Sequence, residues 1–202
     1  MGKINVKDDN QQKFEKSTKY LKLWTVRPRS DFFLLQEQGF FRTDRRFVYD
    51  FFLKAYDWMA EQLKKKTLPP NGVDLPVWAW YRYGGLNQAK PDLRRNAHLK
   101  RGEKGVRIEF EVPENLVLLS GFDAWHAVLN DWCFSINNEE YEYYKKMEKT
   151  CSKAVFDEMK RQSWLKIFDL NLLDDPSTDG VQAVLWELKI EWVKKVDFFI
   201  AR

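Results

Sequence analysis

Residues 77–83, Val-Trp-Ala-Trp-Tyr-Arg-Tyr, limit more than any other stretch what this chain can fold into. β-Branched and aromatic residues fill the stretch, and the turn formers Pro76 and Gly84 bound it, which predicts a β-strand. Side chains alternate along a strand, so bulky groups occupy both faces, and we predict a central strand. The polar tips of Trp, Tyr and Arg need partners when buried. The strand therefore either lines a pocket or fills an aromatic core.

Further strands are predicted from alternating or apolar runs bounded by Pro or Gly. The runs are Leu21–Arg27, Val106–Val112, Leu116–Leu119, Val181–Ile190 and Val193–Ile200. We expect the 106–112 strand to lie antiparallel to the 77–83 strand. Apolar residues at helical spacing predict helices over 30–39, 47–66, after Ser120, and over 137–164. Ser120 and Asp123 resemble a capping box, and Gly39 is the expected left-handed end of the first helix.

This mixture of strands and helices predicts an α+β fold, with a mostly antiparallel mixed sheet and flanking helices. Residues 20–202 are expected to form a single domain, and the polar residues 1–19 a flexible N-terminal tail. No apolar run approaches the roughly 20 residues that cross a bilayer. The polar N-terminus does not resemble a signal peptide, and Cys133 and Cys151 fit two buried, reduced thiols better than a disulfide. We therefore expect a cytoplasmic protein that does not bind membranes.

The segment 84–105 is predicted to be a long loop rich in positive charge. It holds six Lys and Arg residues against two acidic ones, whereas the whole chain carries a net charge of only +4. Arg94, Arg95, Lys100 and Arg101 are predicted to form a basic surface near the mouth of a pocket. The loop is either a phosphate clamp or a solvated hairpin loop.

Several kinds of chemistry are missing from the sequence. It contains no Gly-rich phosphate loop, no dinucleotide fingerprint and no nucleophile elbow. Two cysteines and two histidines, far apart along the chain, predict no metal site. Carboxylates, arginines and aromatic rings remain as candidate functional groups.

Six short segments resemble a bacterial family of unknown function over about residues 21–200. They are Leu-Trp-Thr at 23–25, Ala-Tyr-Asp-Trp-Met at 55–59, Trp-Ala-Trp-Tyr at 78–81, Lys-Pro-Asp-Leu-Arg at 90–94, Phe-Asp-Ala-Trp-His at 122–126 and Val-Gln-Ala-Val-Leu-Trp-Glu-Leu at 181–188. The layout is also distantly similar to the small ADP-ribosyltransferase toxins, which use NAD. In those, a polar NAD contact lies on the first strand, a helix ending in Gly follows, and a catalytic Glu lies on a late strand.

The resemblance to the transferases implies a role for each candidate residue. Glu187 would be the catalytic carboxylate that orients the ribose and stabilises its positive charge. An arginine would hold the pyrophosphate, and an aromatic ring would stack on nicotinamide, with Tyr81 preferred over Trp80 because its hydroxyl can bond to a ribose or phosphate oxygen. Arg27 is expected to donate to Glu187, and these residues to converge on one cleft. The NAD-binding set is Thr25, Arg27, Trp80, Tyr81 and Arg94, and the set that binds the target is Arg42, Tyr56, Arg95, Arg101 and His126.

The predicted function is therefore an ADP-ribosyltransferase-like enzyme that modifies a nucleic acid or a protein. One alternative is a non-catalytic module that binds nucleic acid or a nucleotide through the 90–107 loop and exposed rings. Another is a bacterial or phage interaction protein, such as an antitoxin or inhibitor. Under these alternatives Glu187 pairs with a surface lysine, Arg27 is a rim arginine, and His126 is hydrogen-bonded at the edge of the core.

Overall fold

The computed structural model describes residues 18–96 and 98–202. The strands are β1 (Tyr20–Pro28), β2 (Phe40–Phe41), β3 (Val77–Arg82), β4 (Lys104–Pro113), β5 (Leu118–Gly121), β6 (Val181–Leu185), β7 (Leu188–Lys189) and β8 (Val193–Ile200). The helices are α1 (Arg29–Gln38), α2 (Asp50–Lys64), α3 (Phe122–Leu129), α4 (Asn138–Thr150) and α5 (Lys153–Trp164). The predicted tail over 1–19 lies outside the described residues except for its last two positions.

Six of the strands form one antiparallel sheet in the order β5–β6–β3–β1–β4–β8, and β2 pairs with β7 in a separate ribbon. β3 lies inside this sheet between β6 and β1, which confirms the predicted central strand. The α+β class, with a mostly antiparallel sheet and flanking helices, is confirmed as well. Within the described residues, no helix has the length and apolar character needed to cross a membrane.

Each face of the sheet is covered by its own core. The first core joins Leu23, Val77 and Ile108 to Phe32 and Leu35 of α1. The second core packs β6 and the rings of the sheet against α2, α3 and α5, and its buried members include Met59, Leu63, Trp125, Trp164 and Val184. Since both faces of the sheet are covered, an interior strand has no solvent-exposed polar face. This explains why residues 77–83 carry bulky side chains on both faces of the strand.

The expected pairing of the 106–112 strand with the 77–83 strand is wrong. β1 lies between them and is antiparallel to both. β3 and β4 therefore run parallel to each other and are not adjacent in the sheet. The long segment that joins β3 to β4 spans β1 instead of closing a hairpin. A tight hairpin between neighbouring antiparallel strands needs only a few residues. The segment 83–103 is much longer, so it can pass β1 and connect two parallel strands.

The predicted helices are real, but several of their limits differ. The helix expected over 137–164 is broken at Cys151, and Ser152 begins α5 by accepting a hydrogen bond from Val155 N (3.4 Å). The helix expected over 47–66 begins only at Asp50, after a 3-10 turn.

The structure resolves two further expectations about helix ends and one about buried side chains. Gly121, not Ser120, occupies the N-cap of α3, where no side chain caps the helix. Gly39 ends α1 with a φ of 79°, as predicted. Phe51 on α2 and Trp132 just after α3 are 70% and 64% exposed, although apolar residues at helical spacing predict both to be buried.

The strand predicted over 181–190 is interrupted after Leu185. Trp186 is buried in the second core and its Nε1 donates to Thr67 O (2.8 Å), whereas Leu188 is buried in the first core. Residues two apart on a regular strand share a face, but Trp186 and Leu188 are buried in different cores, so the chain bends at Trp186 and Glu187 and re-forms as β7.

Candidate functional site

The six-stranded sheet has little regular pairing between β1 and β3. β1 pairs with β4 from Tyr20↔Pro113 to Pro28↔Gly105, but in the described part of the chain it pairs with β3 at the single position Trp24↔Trp80. Beyond that position, the side chain of Thr25 bridges the strands by donating from Oγ1 to Trp78 O (3.1 Å). We take this β1–β3 junction as the candidate site, because the described parts of the two strands are in regular register there at only one position.

Arg27 lies near the end of β1 with its guanidinium largely enclosed. The guanidinium lies over the Phe41 ring, 4.0 Å from its centroid, and Nη1 is 3.4 Å from Asp31 Oδ2. Burial lowers the pKa of Arg27, although Asp31 opposes the shift. Its Nε is buried with no hydrogen-bond partner among the described residues. Arg27 therefore keeps a free donor in a site where an unpaired donor is costly.

An aromatic cluster on β3, α2 and α3 packs on the second core, and its Tyr56 feels the charge of Arg27. The Trp78 ring lies 5.4 Å from Tyr56 and 4.8 Å from Trp125, measured between centroids. Burial raises the pKa of Tyr56, and the positive charge of Arg27 opposes this shift. Trp78 Nε1 is buried and, within the described residues, also lacks a partner. The cluster thus holds a second unpaired donor, on the face of the sheet opposite to that of Arg27.

Glu187 is held by Arg42, not by Arg27. Nε and Nη2 of Arg42 donate to Glu187 Oε2 at 2.9 and 2.8 Å, and the Glu187 side chain is only 15% exposed. Lys189 Nζ lies 3.9 Å from Oε1. The expected Arg27–Glu187 pair is wrong because the β2–β7 ribbon places Arg42 opposite Glu187, and β7 was not foreseen as a separate strand.

The strands that carry the predicted site are neighbours, in the order β6–β3–β1. β6 and β1 are both antiparallel to β3, so Arg27, near the end of β1, and Glu187, just after β6, lie toward the same end of the sheet. The ribbon links them, since Phe41 lies against Arg27 and pairs with Leu188. Arg42 and Glu187 follow and precede these two residues in the chain, so they lie opposite each other next to the Phe41↔Leu188 pair. Their side chains lie on the other face of the ribbon.

Trp80 and Tyr81 lie further along β3, away from this end. Tyr81 packs against the first core, with the Arg82 guanidinium 5.0 Å from its ring centroid. Trp80 contacts Tyr83 and Phe122, each at 4.9 Å between centroids. A register shift between Trp80 and Arg82 separates them in the pairing with β6. The two rings therefore lie in different surroundings, as the alternation of a strand predicts.

The basic loop after β3 is docked on the domain. Leu86 N and Asn87 N donate to Pro176 O and Ser177 O at 3.1 and 2.9 Å, and His98 Nε2 lies 2.9 Å from Asp92 O. Exposed Arg94 donates to both oxygens of Asp92, and these hydrogen bonds hold the pKa of Asp92 well below its usual range.

The other basic residues predicted to bind the target differ in their contacts. The guanidinium of Arg95 lies 5.6 Å from the Tyr83 ring centroid, and Arg101 is exposed. His126 is exposed, and its Nδ1 lies 3.1 Å from Phe122 O.

A cavity of about 370 Å³ lies elsewhere, near the starts of α3 and α4. Its lining residues include none of the predicted site residues; they are Asp123, Ala124, Phe134, Ser135, Ile136, Asn137, Asn138, Tyr141, Leu172, Leu173, Asp174 and Asp179. In residues 18–96 and 98–202, no group of three or more His, Cys, Asp or Glu side chains is arranged to hold a metal ion.

A family model described as a domain of unknown function, DUF3841, matches residues 22–194. The chain belongs to the DUF3841 family. This match runs from β1 into β8 and confirms the expected resemblance to a family of unknown function. No curated protein and no solved structure matches the chain. The DUF3841 match assigns no activity, so the likeness to ADP-ribosyltransferases stays a prediction.

Proposed function

We propose that this DUF3841 domain is an ADP-ribosyltransferase-like enzyme, which binds NAD at the β1–β3 junction and transfers ADP-ribose to a nucleic acid or a protein. The observation that carries the proposal is the junction itself. Within the described residues two neighbouring strands pair there at the single position Trp24↔Trp80, and Thr25 and Arg27, two of the five residues that the resemblance assigns to NAD, lie beside it. The proposal also places the protein in the cytoplasm, where its two free cysteines stay reduced.

The unpaired donors at the junction fit an anionic, aromatic ligand. Arg27 Nε suits an oxygen of the pyrophosphate, and Trp78 Nε1 suits a carbonyl or hydroxyl oxygen. The rings of Tyr56 and Trp78 offer faces for stacking beside Trp78 Nε1. Binding would then satisfy groups that the free protein leaves buried without partners.

Glu187 supplies the negative charge for the transfer step. Cleavage of the bond between ribose and nicotinamide develops positive charge at the ribose, and a nearby carboxylate stabilises it. Arg42 binds Oε2 and fixes the orientation of the carboxylate, so the ribose would bind Oε1 in place of Lys189, whose Nζ lies 3.9 Å away. The acceptor then bonds to the ribose carbon and loses a proton, and nicotinamide leaves with the electron pair of the broken bond.

Titration with NAD tests binding directly. Trp24, Trp78 and Trp80 lie on the two strands of the junction, so NAD should change the intrinsic tryptophan fluorescence and saturate. Replacing Arg27 by Lys keeps the charge but removes the planar group that lies on Phe41, and should weaken binding about tenfold. A fluorescence signal that stays unchanged at millimolar NAD would remove the proposal.

The charge of Glu187 is tested by Glu187→Gln, which keeps the shape of the side chain. Release of nicotinamide from NAD should fall about a hundredfold, the scale of losing one electrostatic stabiliser, while NAD binding changes little. Glu61→Gln is the matched control, because Glu61 is an exposed carboxylate on α2 that makes no ion pair within the described residues. Equal activity of the two variants would show that Glu187 is not catalytic.

A further inference from the structure

Five aromatic rings form a continuous series across the end of β3. The centroid distances are 5.4 Å from His98 to Tyr83, 4.9 Å from Tyr83 to Trp80, 4.9 Å from Trp80 to Phe122, and 4.7 Å from Phe122 to His126. We call these residues the ring series. Its ends are the two histidines of the chain, one in the basic loop and one on α3.

The ring series is not part of either hydrophobic core. None of its members belongs to the buried cores on the two faces of the sheet or to the half-buried residues packed against them. His126 is exposed and the other four members are half-buried. These aromatic rings form one connected row that is partly open to solvent. Such a row offers ring area for stacking, which packing of a core does not require.

Positive charge lies beside one end of the series. Exposed Arg95 places its guanidinium 5.6 Å from the Tyr83 ring centroid, and Arg94 is its neighbour in the chain. Asp92 forms an ion pair with Arg94, so the two charges offset each other and Arg95 supplies the remaining positive charge at this end. On the other side, Asp123 faces the acidic cavity. A polyanion is therefore attracted to the arginine side of the series and repelled from the cavity side.

We propose that the ring series binds single-stranded nucleic acid, with bases stacked on its rings and the backbone phosphates along Arg94 and Arg95. Successive bases of a single strand expose their faces to aromatic side chains, whereas a duplex hides them. Trp80 belongs both to the series and to the Trp24↔Trp80 pair of the junction, so the strand would lie next to the NAD site. The idea that the bound strand accepts ADP-ribose rests on the proposed function. The binding of single-stranded nucleic acid to the ring series does not depend on it.

Fluorescence anisotropy with a labelled twelve-nucleotide oligothymidine, and with a duplex of the same length, tests the proposal. Tyr83→Leu should weaken binding of the single strand about tenfold, whereas Tyr83→Phe, which keeps the ring, should bind as the wild type does. Tyr49→Leu is the matched control, since Tyr49 is 70% exposed and lies outside the series. His126→Ala is a second variant that tests the same series if Tyr83→Leu fails to fold. Because His126 is exposed, this substitution should leave the fold intact and weaken binding of the single strand.

The phosphate contacts are tested by salt. Arg95→Ala should reduce the slope of log affinity against log salt concentration by about 0.7, the value for one phosphate of a single strand. Duplex bound as tightly as the single strand, or Tyr49→Leu as damaging as Tyr83→Leu, would overturn the inference. So would no measurable binding of the oligonucleotide by the wild-type protein.

The two proposals fail separately. Binding of NAD without binding of the oligonucleotide would remove the role of the ring series and leave the transferase proposal intact. Binding of the oligonucleotide without NAD binding or nicotinamide release would overturn the transferase proposal and leave a non-catalytic single-strand binding module.

Discussion

At the scale of single residues, Lys160 shows how a buried charge is compensated in this domain. Its side chain is 8% exposed, and Nζ lies 2.9 Å from Asp131 and 3.4 Å from Asp157. Burial opposes the charged form, but the hydrogen bond and charge of Asp131, supported by Asp157, outweigh it and raise the pKa of Lys160. Asp131 also accepts from Lys54 at 2.8 Å. One carboxylate therefore joins α2 to α5.

Asp131→Asn is expected to destabilise the protein by about 1 kcal/mol at neutral pH, since Asp131 is partly exposed and Lys160 keeps Asp157. Asn tolerates the φ of 57° at this position, so the backbone should not change. Burial raises the pKa of Asp131, but Lys54 and Lys160 more than reverse this and lower it. Its stabilising effect is thus present above the unfolded pKa of about 3.9 and is lost as the pH falls through the lower folded value.

Urea unfolding of Asp131→Asn and the wild type at neutral and strongly acidic pH measures this effect. The difference in unfolding free energy should shrink in acid. Asp174→Asn is the control, because Asp174 is exposed and makes no ion pair within the described residues. A difference that stays the same at both pH values would contradict the role of the Asp131 charge.

At the scale of elements, Gly85 fixes the basic loop against the turn before β6. Its φ is 61°, and a Cβ there would lie 2.5 Å from the carbonyl carbon of Ser177. Gly85→Ala must therefore strain the backbone and push the loop away from the turn. Gly72→Ala is the matched control, because Gly72 has a φ of 77° with no atom within 4 Å of a Cβ.

Backbone strain alone should cost Gly72→Ala about 1 kcal/mol. The added steric contact should bring the loss for Gly85→Ala to about 2–4 kcal/mol. Urea unfolding measures both losses. If the two substitutions cost the same, the loop is not held at Ser177, and its docking does not position Tyr83 and His98 in the ring series.

At the scale of the whole molecule, the two cores share one sheet and should unfold together. Leu35 of the first core and Leu63 of the second are both fully buried. Replacing either by Ala should cost about 2–5 kcal/mol. Trp58, Trp125, Trp164 and Trp186 all lie in the second core, whereas the buried members of the first core include no tryptophan, so tryptophan fluorescence reports mainly on the second.

Leu35→Ala therefore tests cooperativity across the sheet. Its fluorescence transition in urea should shift as far as its far-UV circular dichroism transition, because a two-state domain loses both cores at once. Leu63→Ala, which acts on the reported core directly, is the reference. A fluorescence transition that Leu35→Ala leaves in place would mean that the two cores unfold independently.

The sequence by itself determined the local elements and the central strand. Alternation over 21–27, 77–83 and 106–112 identified three strands of the sheet, and Asn137 and Gly39 marked helix ends, because these signals depend on residues a few positions apart. It also placed Thr25, Arg27, Trp80 and Glu187 on three predicted strands whose counterparts β1, β3 and β6 are neighbours, although Glu187 lies just after β6 and not within it.

Only the tertiary structure decided how these elements meet. The insertion of β1 between β3 and β4, the bend at Trp186 and the Arg42–Glu187 pair all depend on contacts between residues far apart in the chain, which no local pattern encodes. The same holds for the ring series, whose members span positions 80–126 and become neighbours through the docking of the basic loop and of α3. Local periodicity specifies where a side chain points on its own element, and long-range packing selects its partner.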